Sequence, residues 1–227
     1  MNQLDKNTVK AENQLKPSQY VHFERAENSG LRVLFIGNSI TLHGEKPDIG
    51  WNVCWGMAAS SKEKDYVHLL EAKISERHPD AVFCICQMAG WECNYKTGED
   101  LLSKEYQAAA DFAADVIVLR LVENCPGKDY DEECFVEQYK KLLAFMNPSG
   151  KANIILSTSF WKHPFDAGLR RVAEEYQLPL VELGDLGELD EMKAVGLFWH
   201  SGVAAHPGDL GMATIADRLW CELQKIL

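Results

Sequence analysis

The sequence predicts an α/β protein: a three-layer α/β/α sandwich of flavodoxin-like type around a five-stranded parallel sheet in the order 2-1-3-4-5. Three observations carry this. Short apolar runs rich in Val, Ile and Leu recur along the chain, stretches with helical period separate them, and 227 residues with 46% hydrophobic content suffice to bury one sizeable core. Strands buried on both faces and joined by crossover helices require a sheet covered on both sides, with right-handed connections.

Taken in order, residues 1–30 are polar and without clear period, and are expected to form an N-terminal arm ahead of a single domain over residues 31–227. Strands are expected at residues 31–36, 81–86, 116–121 and 153–156 and, on a weaker signal, 178–183. Helical spacing appears in Val67, Leu70 and Ile74; in Leu102, Tyr106 and Ala109; in Phe135, Tyr139, Leu142 and Met146; and in Leu169, Val172 and Tyr176. A last helix is expected through Met212, Ala216, Leu219, Leu223 and Ile226.

Composition narrows the function classes. The 23 Lys plus Arg stand against 34 Asp plus Glu, a formal charge of -11 that repels polyanions, so nucleic acid is not an expected partner. No run approaches the roughly 18 apolar residues of a membrane span, and the opening residues lack the apolar stretch of a secretory signal. A soluble cytoplasmic protein without a membrane partner is expected. None of the seven Cys spacings is Cys-x-x-Cys, which favours free thiols over a disulfide framework or a zinc site. The glycine fingerprints of dinucleotide and nucleotide-phosphate sites are missing too, and no cofactor or metal is expected.

In an open parallel sheet, ligands bind beyond the carboxyl ends of the strands where strand order reverses. The residues that follow strands one, two and three should therefore converge: Gly37-Asn38-Ser39-Ile40-Thr41, Gln87-Met88-Ala89-Gly90-Trp91 and Glu123-Asn124-Cys125. Ser39 is the candidate nucleophile, and the Gly90 backbone N–H and the Asn124 carboxamide are candidate donors to an oxyanion. The loop before the last helix brings His206 to the same edge as candidate base, where the positive end of that helix would disfavour imidazolium and keep the ring able to accept a proton. Taken singly, Ser39 reads as a turn residue, Asn124 as a loop closer and His206 as a capping residue. Their order along the chain makes them a catalytic set.

With those residues in place the sequence resembles the SGNH (GDSL-type) hydrolases, serine esterases and acylhydrolases on a flavodoxin-like fold. The resemblance runs from Leu31 to the end. Its first motif stands as Gly37-Asn38-Ser39-Ile40, with Asn where the family pattern has Asp. Gly90 stands for the second block, Val122-Glu123-Asn124 for the third, where the family has Gly-x-Asn, and Val203-Ala204-Ala205-His206 for the fifth, where it has Asp-x-x-His. The resemblance implies Ser39 as nucleophile, His206 as base, and Asn124, Gly90 and the Ser39 backbone N–H as oxyanion donors. The triad acid is replaced by Val203. A backbone carbonyl near Ser201 or Gly202, a relocated carboxylate such as Glu123, Asp185 or Asp190, or no group at all could stand behind His206, the first two being favoured. Asp209 is expected to cap the last helix.

Two readings follow. In the first the chain is a serine-dependent esterase or deacylase for small-acyl esters, including O-acetylated carbohydrate. In the second it is a degenerate relative that binds a glycan or acylated metabolite without cleaving it. A thiol-based redox or metal protein using Cys84, Cys86 and Cys93 is a remote third. Five of the six Trp (51, 55, 91, 161 and 199) are expected in loops near the catalytic edge, where aromatic walls suit sugar rings or acyl chains.

Overall fold

The computed structural model describes residues 20–227, so residues 1–19 of the expected arm lie outside the described residues. A six-stranded sheet runs in the order β1-β3-β2-β4-β5-β6. Its strands are β1 (Val21–Glu24), β2 (Arg32–Gly37), β3 (Val82–Gln87), β4 (Val116–Leu119), β5 (Asn153–Ser157) and β6 (Leu180–Val181). From β3 to β6 across the sheet all pairings are parallel, which is the expected 2-1-3-4-5 arrangement. The sequence reading missed the sixth strand. Inside the stretch expected as an arm, β1 pairs antiparallel with β3, Val21 opposite Cys86 and Phe23 opposite Cys84. Its four residues are half-buried or exposed, so they carry neither the continuous apolar run of a central strand nor a length that makes alternation visible.

The helices are α1 (Tyr66–Arg77), α2 (Ala89–Cys93), α3 (Glu99–Glu105), α4 (Gln107–Asp111), α5 (Glu132–Met146), α6 (Asp166–Tyr176), α7 (Ser201–Ala204) and α8 (Asp209–Leu223). Asp65 starts α1 by accepting the His68 N–H at 2.9 Å, and Asp131 starts α5 by accepting that of Cys134 at 3.1 Å, both N-caps that satisfy an otherwise free donor. The one helix expected through Leu102, Tyr106 and Ala109 is two, because the backbone breaks at Tyr106. That break turns a fully buried Tyr106 ring against Tyr20, at 5.8 Å between centroids. Helices α1 and α8 pack together, as do α5 and α6, and the apolar side chains of β2, β3 and β4 lie buried in the sandwich between them. Among the described residues no helix is long and apolar enough to cross a membrane.

Register does the positioning. Gly37 pairs with Gln87, Ile36 with Leu119 and Leu119 with Leu156, so β2, β3, β4 and β5 end in one row and release their next residues on one edge of the sheet.

Candidate active site

The turn that presents Ser39 is dictated by space at Gly37. A Cβ there would fall 1.8 Å from Thr41 Oγ1 and 2.7 Å from Thr41 Cβ, so glycine alone lets the chain fold back after β2. Both Thr41 N–H and Leu42 N–H then donate to the Asn38 carbonyl at 2.9 Å, and Met57 N–H donates to the Ser39 carbonyl at 2.8 Å. Ser39 is nearly buried, at 5% exposure. Its Oγ lies 2.8 Å from Nε2 of His206, which is 167 residues away along the chain.

His206 follows the single turn of α7, and its Nδ1 lies 2.7 Å from the Gly202 carbonyl oxygen. The carbonyl can only accept, so Nδ1 carries the proton and Nε2 offers its lone pair to the Ser39 hydroxyl. Trp161 covers the ring edge-on at 5.4 Å between centroids. Burial pushes the His206 pKa down to about 4, and His43, Arg120 and His200 add to the shift, outweighing the Gly202 hydrogen bond. Desolvation, the largest cause, thus favours the neutral ring.

Every carboxylate considered for the place behind His206 is engaged elsewhere. Glu123 binds Arg120, Asp185 pairs with Arg218, and Asp190 pairs with Lys193 on the surface. Asp209 does not cap α8, whose N-cap is Gly208. It accepts from the Ser60 N–H and hydroxyl at 2.8 Å each and pairs with Lys64, tying the α8 start to the loop before α1. Val203, in the place of the family acid, is buried in an apolar cluster with Ile49, Trp51, Met57, Ala58 and Ala194. A carboxylate there would have to ionise among hydrocarbon.

On the other side of Ser39 the polar groups are dense. The Asn38 amide, fully buried, donates to Glu92 Oε1 at 3.0 Å and to Glu123 Oε2 at 2.6 Å, while its oxygen accepts from Arg120 Nη2 at 3.1 Å. This accounts for Asn where the family pattern has Asp, because an ionised carboxylate could donate to neither glutamate. Glu92 accepts twice more, from the Val122 N–H and from the Asn124 amide, both at 2.5 Å. Glu123 also accepts from the Phe160 N–H at 3.0 Å. Burial, and after it the charge of Glu123, raises the Glu92 pKa. Val122 stands where the family motif has Gly and keeps a glycine-like backbone, with φ of 140°.

Asn124, in the turn after β4, has its amide fixed by Glu92. Gly90 lies in the first turn of α2, where its N–H has no acceptor among the described residues. A side chain at that position would come within 3.0 Å of the Tyr106 hydroxyl. The expected residues Ser39, His206, Asn124 and Gly90 all fall at the carboxyl ends of the strands or in the loop that returns to them.

Sequence reasoning missed Glu92 and Arg120. A lone Glu in a helical stretch and an Arg after a strand read as surface residues, yet both are fully buried. The Trp expectation holds in part. Trp161 flanks His206, Trp51 and Trp55 pack edge-on against each other, and Trp199 is 63% exposed. Trp91 departs from it: this residue sits on α2 and is buried against Tyr139 in the core. Cys84 and Cys86 are buried on β3, and burial raises both thiols, Cys84 to about 12, so no reactive thiolate stands there.

No protein-family model matches the sequence, and no curated protein matches it. Solved structures match the fold. A two-domain esterase active on acetylated mannans superposes with a TM-score of 0.56 at 16% identity, over 86% of this chain and 49% of its own length. The chain spans about half the length of that protein. A psychrotrophic esterase from Pseudoalteromonas sp. gives 0.55 at 13% identity over 86% of this chain and 97% of its own. A lipolytic G-D-S-L family protein from Veillonella parvula gives 0.52 at 15% over 87% of this chain and all of its own length. The chain has the SGNH-hydrolase fold.

Proposed function

We propose that this chain is a serine-dependent ester hydrolase for small-acyl esters, with O-acetylated carbohydrate as the leading substrate class. The observation that carries the reading is the 2.8 Å contact between Ser39 Oγ and His206 Nε2, with the other ring nitrogen fixed on a carbonyl. In this reading the Ser39 hydroxyl attacks the ester carbonyl as His206 Nε2 takes its proton. The Asn124 amide and the Gly90 N–H receive the oxyanion. His206 returns the proton to the departing alcohol, and water clears the acyl-enzyme by the same route.

Support for the acetyl-carbohydrate class comes from two sides. Trp199 is exposed and Trp161 lines the His206 ring, which supplies flat apolar faces of the kind that sugar rings stack on. Among the structures that share the fold, one is of an esterase active on acetylated mannans, and another is of a family two carbohydrate esterase from Clostridium thermocellum in complex with cellohexaose, at 14% identity and a TM-score of 0.51 over 86% of this chain and 64% of that one.

Turnover of a short nitrophenyl ester tests the reading. Ser39→Ala should lower it by at least about 10³-fold without loss of the folded circular-dichroism spectrum, since removal of a triad member leaves only what binding and the oxyanion donors supply. Undiminished turnover would remove the mechanism. The second reading, binding without cleavage, is favoured by one observation: among the described residues a carbonyl, and not a carboxylate, faces His206 Nδ1. A fluorophosphonate probe that labels wild type and not Ser39→Ala decides for hydrolysis, and an unlabelled wild type decides for binding.

A further inference from the structure

Near the sheet edge formed by β1, three side chains with metal-ligating atoms meet. Glu24 comes from β1, and His68 and Glu71 come from α1, where their i,i+3 spacing puts them on one face. One ligating atom of each lies within 4.8 Å of the other two. His68 is already oriented. Its Nδ1 is 2.7 Å from Oδ1 of the fully buried Asp65, so Nε2 is the nitrogen that faces Glu24 Oε1, at 3.3 Å. A carboxylate behind the imidazole is the arrangement that fixes a metal-binding histidine in the right tautomer. The 3.3 Å separation is also the edge of a tetrahedron whose vertices lie about 2.0–2.1 Å from its centre, the length of zinc bonds to nitrogen and oxygen.

Glu71 supplies an independent sign of a ligand. It is only 8% exposed, and its Oε1 is buried without a hydrogen-bond partner. A carboxylate oxygen in that position lacks the donor that buried polar groups ordinarily have, and a cation would supply the missing partner. Among the described residues the competing cation besides His68 is Lys62, whose Nζ lies 2.6 Å from Glu24 Oε1. Its side chain is 43% exposed, so the ammonium can exchange into water without breaking a buried contact.

We propose that Glu24, His68 and Glu71 bind one divalent transition-metal ion, zinc first, with Asp65 orienting His68 from behind. The set of one imidazole and two carboxylates matches the donor chemistry of that class, and its fourth position is left for water. The ion would join the edge strand β1 to α1. Asp65 also accepts the Gly56 N–H at 2.9 Å, and the next residue, Met57, donates to the Ser39 carbonyl, so the clamp would reach the turn that presents the serine. The site stands whether or not Ser39 is a nucleophile.

The test uses the full chain freed of metal by a chelator and titrated with Zn²⁺ by calorimetry, with Tm followed in parallel and Co²⁺ as a spectroscopic substitute. One equivalent should bind in the micromolar range or tighter, Tm should rise until that equivalent is reached, and Co²⁺ should show the intense visible bands of four-coordinate geometry. His68→Gln and Glu71→Gln should each weaken binding by about ten-fold or more, whereas His78→Gln, at the end of α1, should leave it unchanged. Should either buried variant fail to fold, Glu24→Gln on the half-exposed strand gives the same readout. A folded wild-type chain that takes up neither Zn²⁺ nor Co²⁺ at millimolar concentration would overturn the proposal, as would one-equivalent binding that none of the three variants weakens.

Discussion

On the Asn124 side of Ser39, the fully buried Asn38, Glu92 and Arg120 are linked with Glu123 through side-chain hydrogen bonds that leave Arg120 Nε without a partner, and Glu92 also takes the backbone N–H of Val122. On the His206 side, a single carbonyl at 2.7 Å and the edge of Trp161 hold the ring. The same active edge is thus over-determined in one half and minimally held in the other. A network of linked buried groups resists rearrangement because each displacement strands a further buried charge or donor. A backbone carbonyl orients an imidazole equally well but carries only a partial charge to stabilise imidazolium. In the proposed mechanism the donors are rigid and the base is merely aimed.

The largest effect expected from that contrast is at Glu92. Replacing it by Gln keeps the shape but puts an amide that must donate among donors, so the Asn124 carboxamide loses its anchor. The ester turnover number should fall by about 10²-fold, comparable to removal of one oxyanion donor, with KM nearly unchanged. A rise in KM at constant kcat would assign Glu92 to ground-state binding and would break the contrast.

Val203→Asp comes next. Restoring the family acid would bury a carboxylate in the cluster of Ile49, Trp51 and Met57, and should destabilise the fold by about 2 kcal/mol or more without raising the rate. Urea denaturation measures the loss, and a faster enzyme would show that the weak half of the site can be repaired at that position.

In the proposed reaction His206 would also set the acid limb of the pH profile. With the His206 pKa pushed down to about 4, the ring accepts a proton at neutral and mildly acidic pH, and kcat/KM should fall only as pH drops through about 4. A limb near 6.5, the ordinary value for His, would mean that the ring is solvated. Buried His43, also lowered to about 4 by desolvation, binds its proton more weakly folded than unfolded. Its share of stability is therefore present above about pH 6.5 and is lost as pH falls from there to about 4.

Val122→Gly should have the smallest effect. Relief of the φ of 140° offsets lost side-chain burial, and stability should stay within about 1 kcal/mol of wild type. A loss of about 3 kcal/mol, as for an ordinary buried valine, would show that the turn carries no strain.

Much of the fold could be read because it rests on short-range pattern. The apolar runs of β2, β3, β4 and β5 and the helical spacing of α1, α5 and α8 announce themselves within a dozen residues. The two-residue β6 left only the weaker signal at residues 178–183, and the half-buried β1 has too few buried positions to leave a trace. Trp91 was misplaced because five residues of α2 give no period to read, and the aromatic side chain went into the core against Tyr139. In the candidate site, Ser39, Asn124, Gly90 and His206 are proposed from their distance to strand ends, whereas Glu92 and Arg120 carry no signal beyond their type.

By itself the sequence determined the order of the five parallel strands and of the longer helices, the glycine that makes the Ser39 turn, and which polar groups each strand end delivers. These depend on periodicity and on local steric limits. Tertiary structure alone decided that a carbonyl and not a carboxylate stands behind His206, that Asn38 must donate to two glutamates, and that Glu92 reaches Asn124. Hydrogen bonds span about 3 Å in space whatever separates their partners along the chain, and only the folded sheet edge brings residues 39 and 206 within that reach.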